Sequence, residues 1–189
     1  IERTIGKKCD NSNEAKRLFD YIDKIPSSRS TWRLRLFTLA QCPEVFKKEL
    51  KDALFRLFEV DNYYEIEGGT EYKKALAIGF SYLSEADQRA YVRQVLKYFS
   101  EKANKNPDQA WHKRTGWEIL SSICSYLKDD ELHKCEEIFD KKCDEKYAPE
   151  PSMGKIRGGS VRHVSPVKLA DFTVEQIIKN LKSLWTPEK

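Results

Sequence analysis

Three pairs of helical segments recur along this chain at intervals of about forty residues, and no other feature limits its fold as strongly. First members begin near Arg29, Thr70 and Pro107, and second members near Pro43, Ser84 and Asp130. A period of that length marks helix pairs that cannot bury their apolar faces alone and do so by stacking. The expectation is an all-α fold of stacked antiparallel helix pairs, either a HEAT-like α-solenoid or an irregular helical bundle. No residue-level signature accompanies the period.

Apolar spacing and capping residues set the expected boundaries. A first helix follows Asn11 and Ser12, carries Ala15, Leu18, Phe19 and Ile22, and stops by Pro26. The second spans Arg29–Gln41 with Trp32, Leu36, Leu39 and Ala40 on one face, and Pro43 suits the first turn of the third. Thr70 is expected to cap the fourth helix, and Ser84, with Asp87 three residues on, the fifth. Asn106 and Pro107 open the sixth, and Asp129 or Asp130 caps the seventh, where Cys135, Ile138 and Phe139 fall at core spacing. Gly79 suits close helix packing and Gly116 is a weak point. The helical body is thus expected over residues 1–147. Residues 148–165, with Pro149, Pro151, Gly154, Gly158 and Gly159, form a loop. Residues 166–189 hold a C-terminal helix, capped by Thr173 and Gln176, that must dock on the body.

Charge narrows the partners. Residues 1–150 carry 27 basic and 27 acidic side chains, whereas residues 151–189 carry 7 and 3, so the net charge of +4 arises in the tail. An anion-seeking function belongs near Lys155, Arg157 and Arg162. Glycines beside those cations would let backbone approach a phosphate, although the order of residues is not that of a P-loop. In the body, Arg29 and Arg33, one helical turn apart, are the best cationic patch, and Trp32, Trp111 and Trp117 interleave with basic residues. Helical tryptophans amid balanced charge are expected in the core rather than against bases.

No apolar run approaches the roughly 20 residues that span a bilayer. Five widely spaced cysteines, Cys9, Cys42, Cys124, Cys135 and Cys143, fit reduced thiols in the cytoplasm. His133, Cys135 and Cys143, with Cys124, lack the close pairing of a zinc site, and Cys135 and Cys143 fall on a buried stripe. Cys124 with His133 or His112 makes no compelling nucleophile. Asp129, Asp130 and Glu131 sit where a helix N-terminus favours negative charge. No catalytic residue, cofactor or metal ligand is therefore assigned. The first residue is Ile1 and the only methionine is Met153, so the chain is expected to be a piece of something larger.

The runs Gly158-Gly159-Ser160-Val161, Ser165-Pro166-Val167 and Phe172-Thr173-Val174-Glu175-Gln176-Ile177-Ile178 resemble a loop-and-helix element in the helical regions of large bacterial STAND-type NTPases linked to antiphage defence. The resemblance implies a sensor or scaffold portion, with the NTPase and effector outside this chain and no catalytic residue carried over. The expected function is a non-catalytic protein-interaction or sensing scaffold within a larger intracellular protein, partnered by protein or by other domains of the same protein. The alternative is a nucleic-acid-binding helical module using Lys155, Arg157, Arg162, Arg29 and Arg33. An enzyme with a dispersed site is a third reading.

Overall fold

The computed structural model describes residues 11–26, 28–59, 69–105, 111–149, 173–176 and 179, apart from the side chain of Arg29. The fold is all-α, with no strand among these residues. Helix α1 is Ser12–Asp23, α2 Arg29–Gln41, α3 Lys47–Phe55, α4 Thr70–Gly79, α5 Glu85–Lys105, α6 Trp111–Ser121 and α7 Asp129–Phe139. Tight 3-10 turns at Arg56–Phe58, Phe80–Tyr82 and Cys124–Tyr126 extend α3, α4 and the end of α6. The openings expected at Gly68, Asn106 and Pro107 lie outside the described residues, as do the glycine-rich loop from residue 150 and the helix beyond Gln176, apart from residue 179.

Capping chemistry accounts for most boundaries. Asn11 accepts from the backbone N–H groups of Asn13 and Glu14 at 3.1 and 3.3 Å. Ser28 and Thr31 cap α2 reciprocally. Ser84 Oγ accepts from Asp87 N at 3.2 Å while donating to the Asp87 carboxylate at 2.8 Å, so the acidic capping pair forms through the hydroxyl. Thr173 and Gln176 likewise exchange backbone-to-side-chain bonds at 2.7 and 3.3 Å.

Three expected starts are corrected. Val45 N and Phe46 N both reach the Cys42 carbonyl, at 3.0 and 3.2 Å. Pro43 therefore sits in a turn, and α3 starts only at Lys47. The chain enters α4 through Gly69 at φ +44°, a conformation that glycine adopts without Cβ strain, so Thr70 is the buried first helical residue rather than the cap. At α7 the capping work falls to Glu131, whose carboxylate accepts from Lys128 N at 2.9 Å; Asp129 and Asp130 are already inside the helix.

The helices share a main apolar core running from Ala15 to Phe139, and a smaller cluster of Leu18 and Ile22 with Leu34 and Phe37 joins α1 to α2. First members pack on first members, α2 on α4 and α4 on α6, and α5 packs on α7. The α3 and α5 helices meet through Phe55 and Tyr91, whose ring centroids lie 5.6 Å apart. Tyr91 is fully buried among Phe55, Phe58 and Phe80. Gly116 proves to be a seat rather than a weakness: a Cβ there would stand 2.6 Å from Phe139 Cζ and 2.9 Å from Phe99 Cβ, so its absence lets α5 and α7 close on α6.

Both ends of the first layer are covered. At one end α1 packs on α2, held by Arg35, which is buried and donates to the carbonyls of Asp23 and Ile25 at 2.7 and 2.8 Å. The turn at 173–176 meets this helix too, with Val174 buried and Glu175 paired to Arg17 at 2.6 Å. At the other end, Asp140 takes the left-handed conformation, φ +56°, and turns the chain back as a strap over α6. Trp117 Nε1 donates to the Lys142 carbonyl at 2.7 Å, Asp144 N donates to Ser121 Oγ at 3.2 Å, and Tyr147 packs edge-on to Trp117.

Candidate protein-interaction site

Charged side chains in the body are organised as a ladder between successive helix pairs. In the first layer Arg33 of α2 meets Glu71 of α4 at 2.5 Å, and Lys73 of α4 meets Glu118 of α6 at 2.6 Å. In the second layer Lys51 of α3 meets Asp87 of α5 at 2.8 Å, and Arg89 of α5 meets Glu131 of α7. In each of the four, the base belongs to the earlier pair and the acid to the next; the exposed Glu85–Lys128 pair, at 3.4 Å, runs the other way and lies outside the ladder.

The geometry behind this is simple. Residues two apart on an α-helix point about 200° away from each other, so they face opposite neighbours. Glu71 and Lys73 use that relation on α4, and Asp87 and Arg89 use it on α5. The same acid-x-base spacing stands at Glu49–Lys51 on α3 and at Glu131–His133 on α7. Glu49 and His133, at the two ends of the second layer, are both exposed, and the ladder has no further described helix to meet them.

In both layers the rung to the last helix pair is the more buried one. The side chains of Lys73 and Glu118 are 17% and 15% exposed, against 43% and 27% for Lys51 and Asp87. Burial pushes the Glu118 carboxyl up, but hydrogen bonds and charge from Lys73 and Arg114 outweigh it and hold the group below the usual glutamate range. Burial likewise opposes the charge on Lys73, and its bonds to Glu118 and Tyr147 reverse the effect and raise it. The Lys51 hydrogen bond, then that from Ser84, keeps the Asp87 carboxyl low.

A second regularity lies at the edge of the array. The turn between α4 and α5 reads Ser81-Tyr82-Leu83, and the turn between α6 and α7 reads Ser125-Tyr126-Leu127, 44 residues later. The leucines point inward, Leu83 being buried, while Tyr82 and Tyr126 are among the few large apolar side chains left exposed, each at 38%. The Lys47 ammonium lies over the Tyr82 ring at 6.0 Å, and the Tyr126 ring packs on Phe80 at 5.4 Å. Each tyrosine therefore rests on the preceding pair, and the two make a ridge of half-exposed aromatic rings along one edge. A cleft of about 550 Å³ between α1, α2 and α3 adds an aromatic floor of Phe19, Trp32 and Phe55, with Arg56 stacked 4.9 Å above the Trp32 ring.

The residues singled out from sequence fare unevenly. Arg33 is engaged with Glu71, and the side chain of Arg29 lies outside the described residues, as do Lys155, Arg157 and Arg162. Trp32 and Trp117 are buried and Trp111 is half-buried, and the Lys141 ammonium lies on the Trp117 ring. Among the described residues no group of three or more His, Cys, Asp or Glu side chains is placed to hold a metal ion. Cys42 is disulfide-bonded, which corrects the expectation that the cysteines stay reduced; Cys124, Cys135 and Cys143 are free, and Cys9 lies outside the described residues. No described helix is long and apolar enough to cross a membrane.

The ladder and the tyrosine ridge escaped sequence reasoning. A signal for both was present: Ser-Tyr-Leu recurs with the same 44-residue offset that relates Asp87 to Glu131 and Arg89 to His133. No family model, curated protein or solved structure matches the chain.

Proposed function

We propose that the chain is a non-catalytic protein-interaction or sensing scaffold, a HEAT-like stack of helix pairs that serves a larger protein. The ion-pair ladder carries this reading. Arg33, Lys51, Lys73 and Arg89 are engaged with carboxylates between helices, where they fix the spacing of successive pairs and offer little free charge to phosphate. A stack held in this way presents the same turn from pair after pair, and the tyrosine ridge is such a repeated edge. Tyrosine there favours a protein partner, because it gives large contact area at low conformational cost. The likeness of residues 158–178 to the helical regions of STAND-type NTPases agrees with a sensing role.

Two measurements test the reading. Fluorescence anisotropy of labelled single- and double-stranded DNA and RNA should show no binding at low salt. A photo-reactive residue placed at Tyr82 or Tyr126 in the full-length protein in its own cells should yield a discrete protein adduct. Salt-dependent nucleic-acid binding that disappears on replacing Lys155, Arg157 and Arg162 by alanine would overturn the scaffold in favour of the nucleic-acid module.

A further inference from the structure

Three free thiols converge where the strap crosses α7. Cys135, on α7, is fully buried, and its Sγ lies 3.2 Å from the Sγ of Cys143 on the strap. Cys124, in the 3-10 turn before α7, lines the same cleft as Cys143. A disulfide bond is about 2.05 Å long, so Cys135 and Cys143 need approach by only about 1 Å to join. Cys143 is half-buried and opens, with Cys124, into a cleft of about 390 Å³ whose walls include His133, Lys142 and Glu136. The pair thus combines one thiol that a small reagent can reach with one that it cannot.

We propose that Cys143 is a thiol-modification site for small disulfide oxidants such as oxidised glutathione, and that Cys135 resolves the adduct to close a Cys135–Cys143 disulfide. In the first step the Cys143 sulfur attacks one sulfur of the oxidant and forms a mixed disulfide. One glutathione leaves and takes up the proton that Cys143 gave up. In the second step the Cys135 sulfur attacks the Cys143 sulfur, the second glutathione leaves, and it takes the Cys135 proton. Two protein thiols are oxidised and one disulfide is reduced to two thiols. The product fastens the strap, already bonded to α6 through Trp117 and Ser121, to α7 as well.

The surroundings set the pace of this chemistry. The hydrogen bond with Cys135, then burial, pushes the Cys143 thiol far above its ordinary value, and burial raises Cys124 to about 11. The attacking thiolate is scarce at neutral pH, so closure should quicken about tenfold per pH unit between roughly pH 7 and 9.

The test treats the whole chain, with the Cys42 disulfide kept intact, with oxidised glutathione at pH 8, followed by alkylation and peptide mapping. The expected product is a Cys135–Cys143 linkage without bound glutathione, together with slower amide exchange in residues 141–147. Cys124→Ser should close the same bond. Cys135→Ala should stop at stable glutathionylation of Cys143, which keeps the test open even where the closed product is scarce. A bridge that forms between Cys124 and Cys143 in the unaltered chain overturns the proposal. Failure of Cys135→Ala to take up glutathione at Cys143 overturns it as well.

Discussion

The hydroxyl of Tyr91 donates its hydrogen bond to that of Tyr72, 2.7 Å away, because Tyr72 gives its own proton to the Leu54 carbonyl, also at 2.7 Å. The direction makes the two tyrosines unequal. Burial pushes the Tyr91 hydroxyl far above its ordinary titration range, so Tyr91 keeps the proton that it donates. Tyr91→Phe removes one donor and leaves a hydroxyl oxygen short of a partner, at a cost of about 1 kcal/mol. Tyr72→Phe strands a buried O–H and deprives a carbonyl at once, and should cost about 2–3 kcal/mol. Urea denaturation of the two variants checks the order; equal losses would mean the proton runs the other way.

Gly116→Ala is expected to destabilise the fold even though alanine is the better helix former. The propensity gain is about 1 kcal/mol, whereas overpacking against two phenylalanines held on other helices costs about 1–3 kcal/mol, and more when neither can move. Gly79→Ala meets the single side chain of Leu50, nearest at its Cδ2 at 2.3 Å, where a change of one rotamer can relieve the contact, and should be tolerated better. Thermal unfolding of the pair separates the two sites, and a stabilised Gly116→Ala would show that α6 can slide.

Acid should loosen the ladder at its Lys73–Glu118 rung. The folded state holds the Glu118 carboxyl below its ordinary value, so the unfolded chain takes up that proton first as pH falls. The contribution is complete above about pH 4.5, the ordinary glutamate range, and is lost as pH drops through the depressed value. Lys73 behaves oppositely: its raised value makes its share complete below about pH 10.4 and lost above it. Glu118→Gln should cost about 1–2 kcal/mol at pH 7 and flatten stability against pH at the acid end. Denaturant midpoints from pH 3 to 7 decide the matter, and parallel curves would exclude the pair as the source.

Asp140 closes α7 in the left-handed region and pairs with Lys113 at 2.6 Å. Glycine there relieves about 1 kcal/mol of backbone strain while losing an exposed ion pair that contributes less than about 1 kcal/mol. Asp140→Gly should therefore be near neutral and Asp140→Ala clearly destabilising. Calorimetric Tm values for the two test this, and identical values would remove the backbone from the account.

Helix identity and spacing were legible because they rest on local chemistry. The apolar stripe of α2 and the Ser84 and Thr173 caps are written in neighbouring residues. The starts of α3, α4 and α7 were less so, since Pro43, Thr70 and Asp129 each suit the role expected of them and lose it to a competing local geometry. The ladder was illegible for a different reason. Glu71 and Lys73, or Asp87 and Arg89, do not touch each other, so their spacing carries no meaning until a helix is known to lie on each side. Cys135 and Cys143 were read as core cysteines from their spacing, and nothing along the chain indicated that a left-handed Asp140 would fold one back onto the other.

The uniform sense of the ladder makes the stack shortenable. Removal of α4 and α5, residues 70–105, would discard one acid and one base from each layer, and would leave Arg33 facing Glu118 and Lys51 facing Glu131. Complementary ends survive such an excision because every interior helix receives charge from behind and offers the opposite charge ahead. Length can then change in evolution by whole helix pairs without an accompanying redesign of the joints.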